Sequence, residues 1–162
     1  MENIDIKTIT NKEEFINSII DKFLNEEVSQ EVIQSYYNNS FAYLENKILK
    51  SSIPNIFDFI KNNFTKIRLF HNMNHPTGVL LNEVVKEIFK LMDLQYDNRY
   101  EDENIDMLNK ILNDLVMPIL PSVKKYYNLN FQDECSSWYN SNIKDTKTFI
   151  YYYINDLYLE PN

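Results

Sequence analysis

A chain of 162 residues, 44% hydrophobic and 14% aromatic, is sized for one domain with a substantial core and is too apolar to be disordered. Its formal net charge of −8 excludes a general binder of the nucleic-acid backbone, which needs clustered Lys and Arg. Its single glycine excludes Walker A loops, dinucleotide-binding loops and a Gly-x-Ser-x-Gly nucleophile elbow, and its single cysteine, Cys135, excludes an intrachain disulfide and a Cys/His zinc pattern.

The first residues, Met1-Glu2-Asn3-Ile4-Asp5, lack the basic-then-apolar pattern of a signal peptide. Ile4 to Ile9 alternates in part and reads as a short strand or an extended arm. Thr10 followed by Glu13 matches a capping box. Phe15, Ile16, Ile19, Ile20, Phe23 and Leu24 then recur at helical spacing, which predicts a helix over about 11–25. Ser29 opens a second helical pattern through Val32, Ile33, Tyr36 and Tyr37. Asn38-Asn39-Ser40 is expected to interrupt it, with Ser40 capping a continuation that carries Phe41, Leu44, Ile48 and Leu49. Pro54 suits the first position of a further helix with Ile56, Phe57, Ile60 and Phe64 on its apolar face.

Lys66-Ile67-Arg68-Leu69-Phe70 is a candidate strand, and a helix is expected to start at Pro76 with Val79, Leu80, Val84, Ile88, Leu91 and Met92 buried. Gln95 to Glu103 is a polar connection. Ile105, Leu108, Ile111, Leu112 and Leu115 mark one more amphipathic helix, ended by Pro118. Pro121-Ser122-Val123 starts a short helix, Asn128 to Ile143 is irregular with Trp138 as a packing anchor, and Asp145 caps a last helix through Phe149, Tyr152, Tyr153 and Leu157. The reading is mainly α: a single helical domain over 1–162 with one or two short strands. No apolar run approaches the ~20 residues of a membrane span, and a cytoplasmic location is expected.

Asp97, Glu101, Asp102, Glu103 and Asp106 form the one dense acidic patch. It reads as a solvated loop entering an acidic first helical turn, which the helix dipole favours. The sharper alternative, a metal site, lacks EF-hand spacing and its glycine, so no metal is expected. Tyr36-Tyr37, Tyr126-Tyr127 and Tyr151-Tyr152-Tyr153 read either as platforms that stack a ligand or as helix faces half in the core.

The stretch from Arg68 to Gly78 concentrates whatever chemistry the sequence holds: both histidines, the glycine and a helix start. With Pro76 first in the helix, His75 would be the N-cap, and the amides of Thr77 and Gly78 would be unpaired donors for an anion. Glycine would let a ligand come close, and Arg68 and Lys66 would add positive charge. The dipole would keep His75 neutral and able to accept a proton, activating a hydroxyl for acyl transfer. His71 would be a second polar group, and Asn74 would orient an imidazole or bind a substrate hydroxyl. The plainer alternative is a tight turn with polar capping groups.

Ile56-Phe57-Asp58-Phe59-Ile60, Asn63-Phe64, Arg68-Leu69-Phe70, Asn74-His75-Pro76-Thr77 and Leu80-Leu81 together resemble the C-terminal half of the WcbI-type capsular polysaccharide biosynthesis acetyltransferases. Tyr43-Leu44-Glu45 and Pro118-Ile119-Leu120-Pro121-Ser122-Val123 are similar as well, so the resemblance covers about residues 35–130. It implies sugar O-acetyl transfer with acetyl-coenzyme A as donor. It nominates His75 and Asn74 as catalytic, and Arg68, His71, Thr77 and Gly78 as contacts of a sugar or acyl-coenzyme A ligand. Two departures stand out. The family's N-terminal Gly-Asn-Cys-Gln motif is missing, since Cys135 follows Glu134, and position 78 is Gly where the family more often has a polar residue. The resemblance therefore implies a partner subunit supplying the missing half, a homo-oligomer, a remnant, or a non-catalytic helical protein-interaction module.

Overall fold

The computed structural model describes residues 10–112, 115–131, 135, 143 and 145–155. Among them are seven α-helices and no sheet: α1 (Lys12–Asn25), α2 (Gln30–Ile48), α3 (Asn55–Asn63), α4 (Gly78–Leu91), α5 (Glu101–Leu112), α6 (Pro121–Tyr127) and α7 (Thr146–Ile154). Ile4 to Ile9 and Trp138 lie outside the described residues.

The caps follow side-chain chemistry, sometimes one residue from where spacing put them. α1 is capped by Asn11, not Thr10: its carboxamide oxygen accepts from the Glu14 amide at 3.2 Å, and its Nδ2 donates to the Glu14 carboxylate at 3.1 Å. The Glu14 carboxylate thus returns to the Asn11 side chain, where a capping box would have it on the N-cap backbone amide. Ser29 caps α2 as expected. α2 then runs unbroken through Asn38-Asn39-Ser40, so Ser40 caps nothing. These polar residues lie exposed on its outer side, where Gln34 donates to Asn38 one turn on at 2.8 Å. Pro54 is the N-cap of α3, one residue before the helix, and α6 begins at Pro121.

α7 is capped by Asp145, which accepts from the Thr148 amide at 2.9 Å. That bond, with the Thr148 hydroxyl next, holds the Asp145 carboxyl below its usual pKa. A depressed carboxylate contributes stability that is full well above pH ~4, the ordinary Asp range, and is lost as pH falls through its folded-state value. Asp145→Ala is expected to cost about 1 kcal/mol at pH 7, with the difference from the parent shrinking in urea melts taken toward acid.

The described buried residues form two clusters. One joins Ile16 and Ile20 of α1 to Phe149, Ile150 and Ile154 of α7, with Leu115, Cys135 and Ile143. The other joins Ile56 and Ile60 of α3 to Leu80 of α4 and Leu69, with Phe41, Leu44 and Ile48 of α2 packed against it. Leu115 belongs to the first cluster, and its carbonyl is held by the Asn72 side chain at 2.9 Å, so the segment beside Pro118 links the two.

α5 runs antiparallel to α4. Gly78 at the start of α4 meets Asn109 late in α5, and Asn82 one turn on meets Glu101 at the start of α5. The acidic patch resolves into the first turn of α5, Glu101, Asp102 and Glu103, and an Asp97 that pairs with Arg99. α4 ends in a Schellman closure, Leu94 N–H to Phe89 O at 2.9 Å and Asp93 N–H to Lys90 O at 3.1 Å. Asp93 takes the left-handed conformation there, φ 55°, which costs an L-residue about 1 kcal/mol. Asp93→Gly is expected to raise the unfolding free energy by about that amount in urea titrations.

The candidate strand Lys66–Phe70 is not a strand. Its one ladder contact is an isolated antiparallel bridge between Phe70 and Pro76. The segment curls back on the turn that follows it, so its backbone groups are satisfied locally: Thr77 N–H donates to Leu69 O at 2.9 Å and His71 N–H to His75 O at 2.8 Å.

Candidate functional site

The turn between α3 and α4 is organised by a residue that sequence reasoning passed over. The Asn72 carboxamide oxygen accepts from the amides of Asn74 and His75, each at 3.2 Å. Its Nδ2 donates to Leu115 O. This is an Asx-type closure, and an asparagine placed two and three residues before the amides it accepts is its one sequence signal.

Arg68 is half-buried and braces the same turn. Its Nε donates to Phe70 O at 3.1 Å, and its terminal nitrogen donates to His71 O at 3.4 Å and to Met117 O. The His71 carbonyl also accepts from the Met117 amide at 2.9 Å. The guanidinium therefore ties the 68–71 segment to the 115–117 segment. Lys66 is exposed.

The start of α4 differs from the expected N-cap. Thr77 is the N-cap and Gly78 the first helical residue, so His75 lies two residues before the cap. Pro76 is held in the bridge with Phe70, which leaves it outside the helix. The Thr77 amide is donated to Leu69 O and its hydroxyl to Arg68 O at 3.0 Å. The Gly78 amide is donated to the Asn109 carboxamide at 2.6 Å. Both amides nominated for an anion are thus donated within the protein. The missing side chain at 78 admits another helix: a Cβ there would collide with the Ile105 carbonyl oxygen and stand 3.0 Å from the Asn109 side chain.

The nominated residues therefore fall into two groups. Arg68, Thr77 and Gly78 hold the turn and the α4–α5 contact, and His71 is buried beside them. Asn74 is exposed and His75 half-buried; the His75 Nδ1 is shielded from solvent and has no hydrogen-bond partner among the described residues. Met73, next to Asn74 in the turn, is 100% exposed. Among the described residues no group of His, Cys, Asp and Glu gathers that could hold a metal ion, and no helix is long and apolar enough to cross a membrane.

On the other side of Arg68-Leu69-Phe70 lies a cavity of about 480 Å³ between α2, the end of α3 and α6. Its walls are aromatic. Tyr37 stacks on Phe41 at 4.2 Å between ring centroids, and Phe64 packs edge-on to Phe41 at 5.3 Å and to Tyr127 at 5.5 Å. The Tyr127 hydroxyl is buried and has no hydrogen-bond partner among the described residues. Burial, and after it the neighbouring Tyr126 and Tyr37, pushes its pKa up, so it stays protonated. The tyrosine pairs are thus divided between ring packing and a cavity wall, while Tyr126 also donates to the Gln34 carboxamide at 2.9 Å. No family model, curated protein or solved structure matches the chain.

Proposed function

We propose that this chain is a non-catalytic helical interaction module whose Asn74-His75-Pro76-Thr77 turn is architectural. One observation carries the reading: Arg68, Asn72, Thr77 and Gly78 direct the junction's polar groups at the protein's own backbone and at Asn109. An anion site at a helix start needs donors that are still open. The exposed Leu91, Met92 and Leu94 at the end of α4 add to it, because apolar side chains grouped in water are characteristic of contact surfaces. The partner would be another subunit or a second copy of the chain. A cytoplasmic setting belongs to the same reading and rests on the sequence's single cysteine.

The test is thermal unfolding of the full chain with millimolar acetyl-coenzyme A. A ligand present at a hundredfold over its Kd stabilises by about 2.7 kcal/mol. No shift in melting temperature is expected, and a clear shift would overturn the module reading.

The second reading is the coenzyme A-dependent sugar O-acetyltransferase implied by the family resemblance. The His75 imidazole favours it, since its Nδ1 has no partner among the described residues and it stands beside the exposed Asn74. On that reading a partner supplies the Gly-Asn-Cys-Gln segment. Acetyl-coenzyme A binding would then be lost in His75→Ala and Asn74→Ala while both variants stay folded. Arg68→Ala is a poor reporter, because it removes the brace to Met117 as well as a charge.

A further inference from the structure

We propose that the cavity between α2, α3 and α6 binds a neutral, ring-bearing small molecule. This deepens the interaction-module reading and rests on it. At about 480 Å³ the cavity lies within the roughly 300–1,000 Å³ range of small-molecule pockets, and it is concave, whereas protein partners take broad faces of roughly 800 Å² each. Three features choose the ligand's chemistry. The wall formed by Tyr37, Phe41, Phe64 and Tyr127 is a cluster of rings with neighbouring centroids 4.2 to 5.7 Å apart, a surface that favours another flat ring. Among the described residues Arg68 is the one charged member of the lining, and its guanidinium already donates to the carbonyls of Phe70, His71 and Met117. A carboxylate or phosphate brought into the cavity would lose its water without gaining an open cation, so a neutral body is favoured. The rest of the described lining is mostly apolar, with aliphatic side chains such as Ile33 and Val123, further rings from Tyr36, Phe70 and Phe131, and Ser40 as a small polar group.

The probe is Nile red, a flat, neutral dye whose emission shifts in apolar surroundings, titrated into the full chain, with the anionic dye anilinonaphthalene sulfonate as comparator. Saturable Nile red binding at one site is expected, at least tenfold tighter than that of the anionic dye. Val123→Phe from α6 and Ser40→Phe from the exposed rim on α2 would each fill the space, and each should weaken Nile red at least tenfold with an unchanged melting profile. Ser40 is exposed, so that variant stays informative if Val123→Phe fails to fold. The double variant Leu91→Ser, Met92→Ser, on the exposed end of α4, should bind as the parent does. Loss in that variant with full binding in Ser40→Phe would overturn the proposal, as would non-saturable binding or equal affinity for the anionic dye. Each of these leaves the module reading standing. Acetyl transfer that depends on His75 would instead remove the module reading, whatever the dyes do.

Discussion

Gly78→Ala is expected to destabilise the protein by about 3 kcal/mol, the upper end of overpacking costs, although the same exchange in an ordinary helix is stabilising by up to ~1 kcal/mol. The sign reverses because of what the position faces. Gly78 is buried at the first turn of α4, and an added methyl would meet the Ile105 carbonyl oxygen, a backbone atom of α5 that cannot rotate away. Relief would require α4 and α5 to separate at that end. Separation would also break the 2.6 Å bond from the Gly78 amide to Asn109. Asn109→Ala removes that bond without the clash and should cost about 1 to 2 kcal/mol, as an unsatisfied buried amide does. Urea unfolding of the two single variants and the double variant reads both terms. Because the variants share one contact, the double should cost less than the sum. If Gly78 instead served ligand approach, Gly78→Ala would leave stability unchanged or raised, and the packing account would fail.

The same residue explains how far the sequence could be read. Its features as a sequence are real: a lone glycine after His-Pro-Thr marks a place where the backbone does something unusual. What it does is set by Ile105 and Asn109, about thirty residues onward and on another helix. No local pattern carries that information. Helix faces were legible where they are written in their own spacing, as with Ile16 and Ile20 and with Ile56 and Ile60, but the spacing on α4 overstates its buried face, since Ile88, Leu91 and Met92 are exposed while Leu80 is buried. Caps such as Ser29 and Asp145 were legible because the partner amide is two or three residues away. Thr10 shows the limit of that rule: its spacing to Glu13 fits a cap, but the next residue, Asn11, takes the position and pairs with Glu14 rather than Glu13. Lys66–Phe70 misled because an apolar run of five residues states burial but not pairing. Its neighbours in space are the turn after it and Met117, and neither is a strand. The cavity stayed hidden for the same reason, since its walls come from α2, α3 and α6.

Asn82 should be the costliest polar side chain to remove. It is 1% exposed, in the second turn of α4. Its carboxamide oxygen accepts from the Tyr96 hydroxyl at 2.6 Å and its nitrogen donates to the Glu101 carboxylate at 3.2 Å. Glu101 in turn takes Lys86 at 2.6 Å, and Lys86 also reaches Glu83 at 2.7 Å. Burial works against the Lys86 ammonium, but the two carboxylates outweigh it and hold its pKa above the ordinary value. Asn82 is thus the buried end of a chain of contacts that ties α4, the connection through Tyr96 and the start of α5 together. Asn82→Leu keeps the volume and leaves the tyrosine hydroxyl without its acceptor and Glu101 short of a donor. A cost of about 1 to 3 kcal/mol is expected, because the half-buried Tyr96 hydroxyl and the Glu101 carboxylate both lose a partner at a position that is itself closed to water. Tyr96→Phe in the Asn82→Leu background should recover part of that loss by removing one stranded group, which no simple loss of packing would do. A double-variant cycle in urea with no recovery, or a single Asn82→Leu cost below about 0.5 kcal/mol, would show that the helix pair is held by its apolar seam and Gly78 alone.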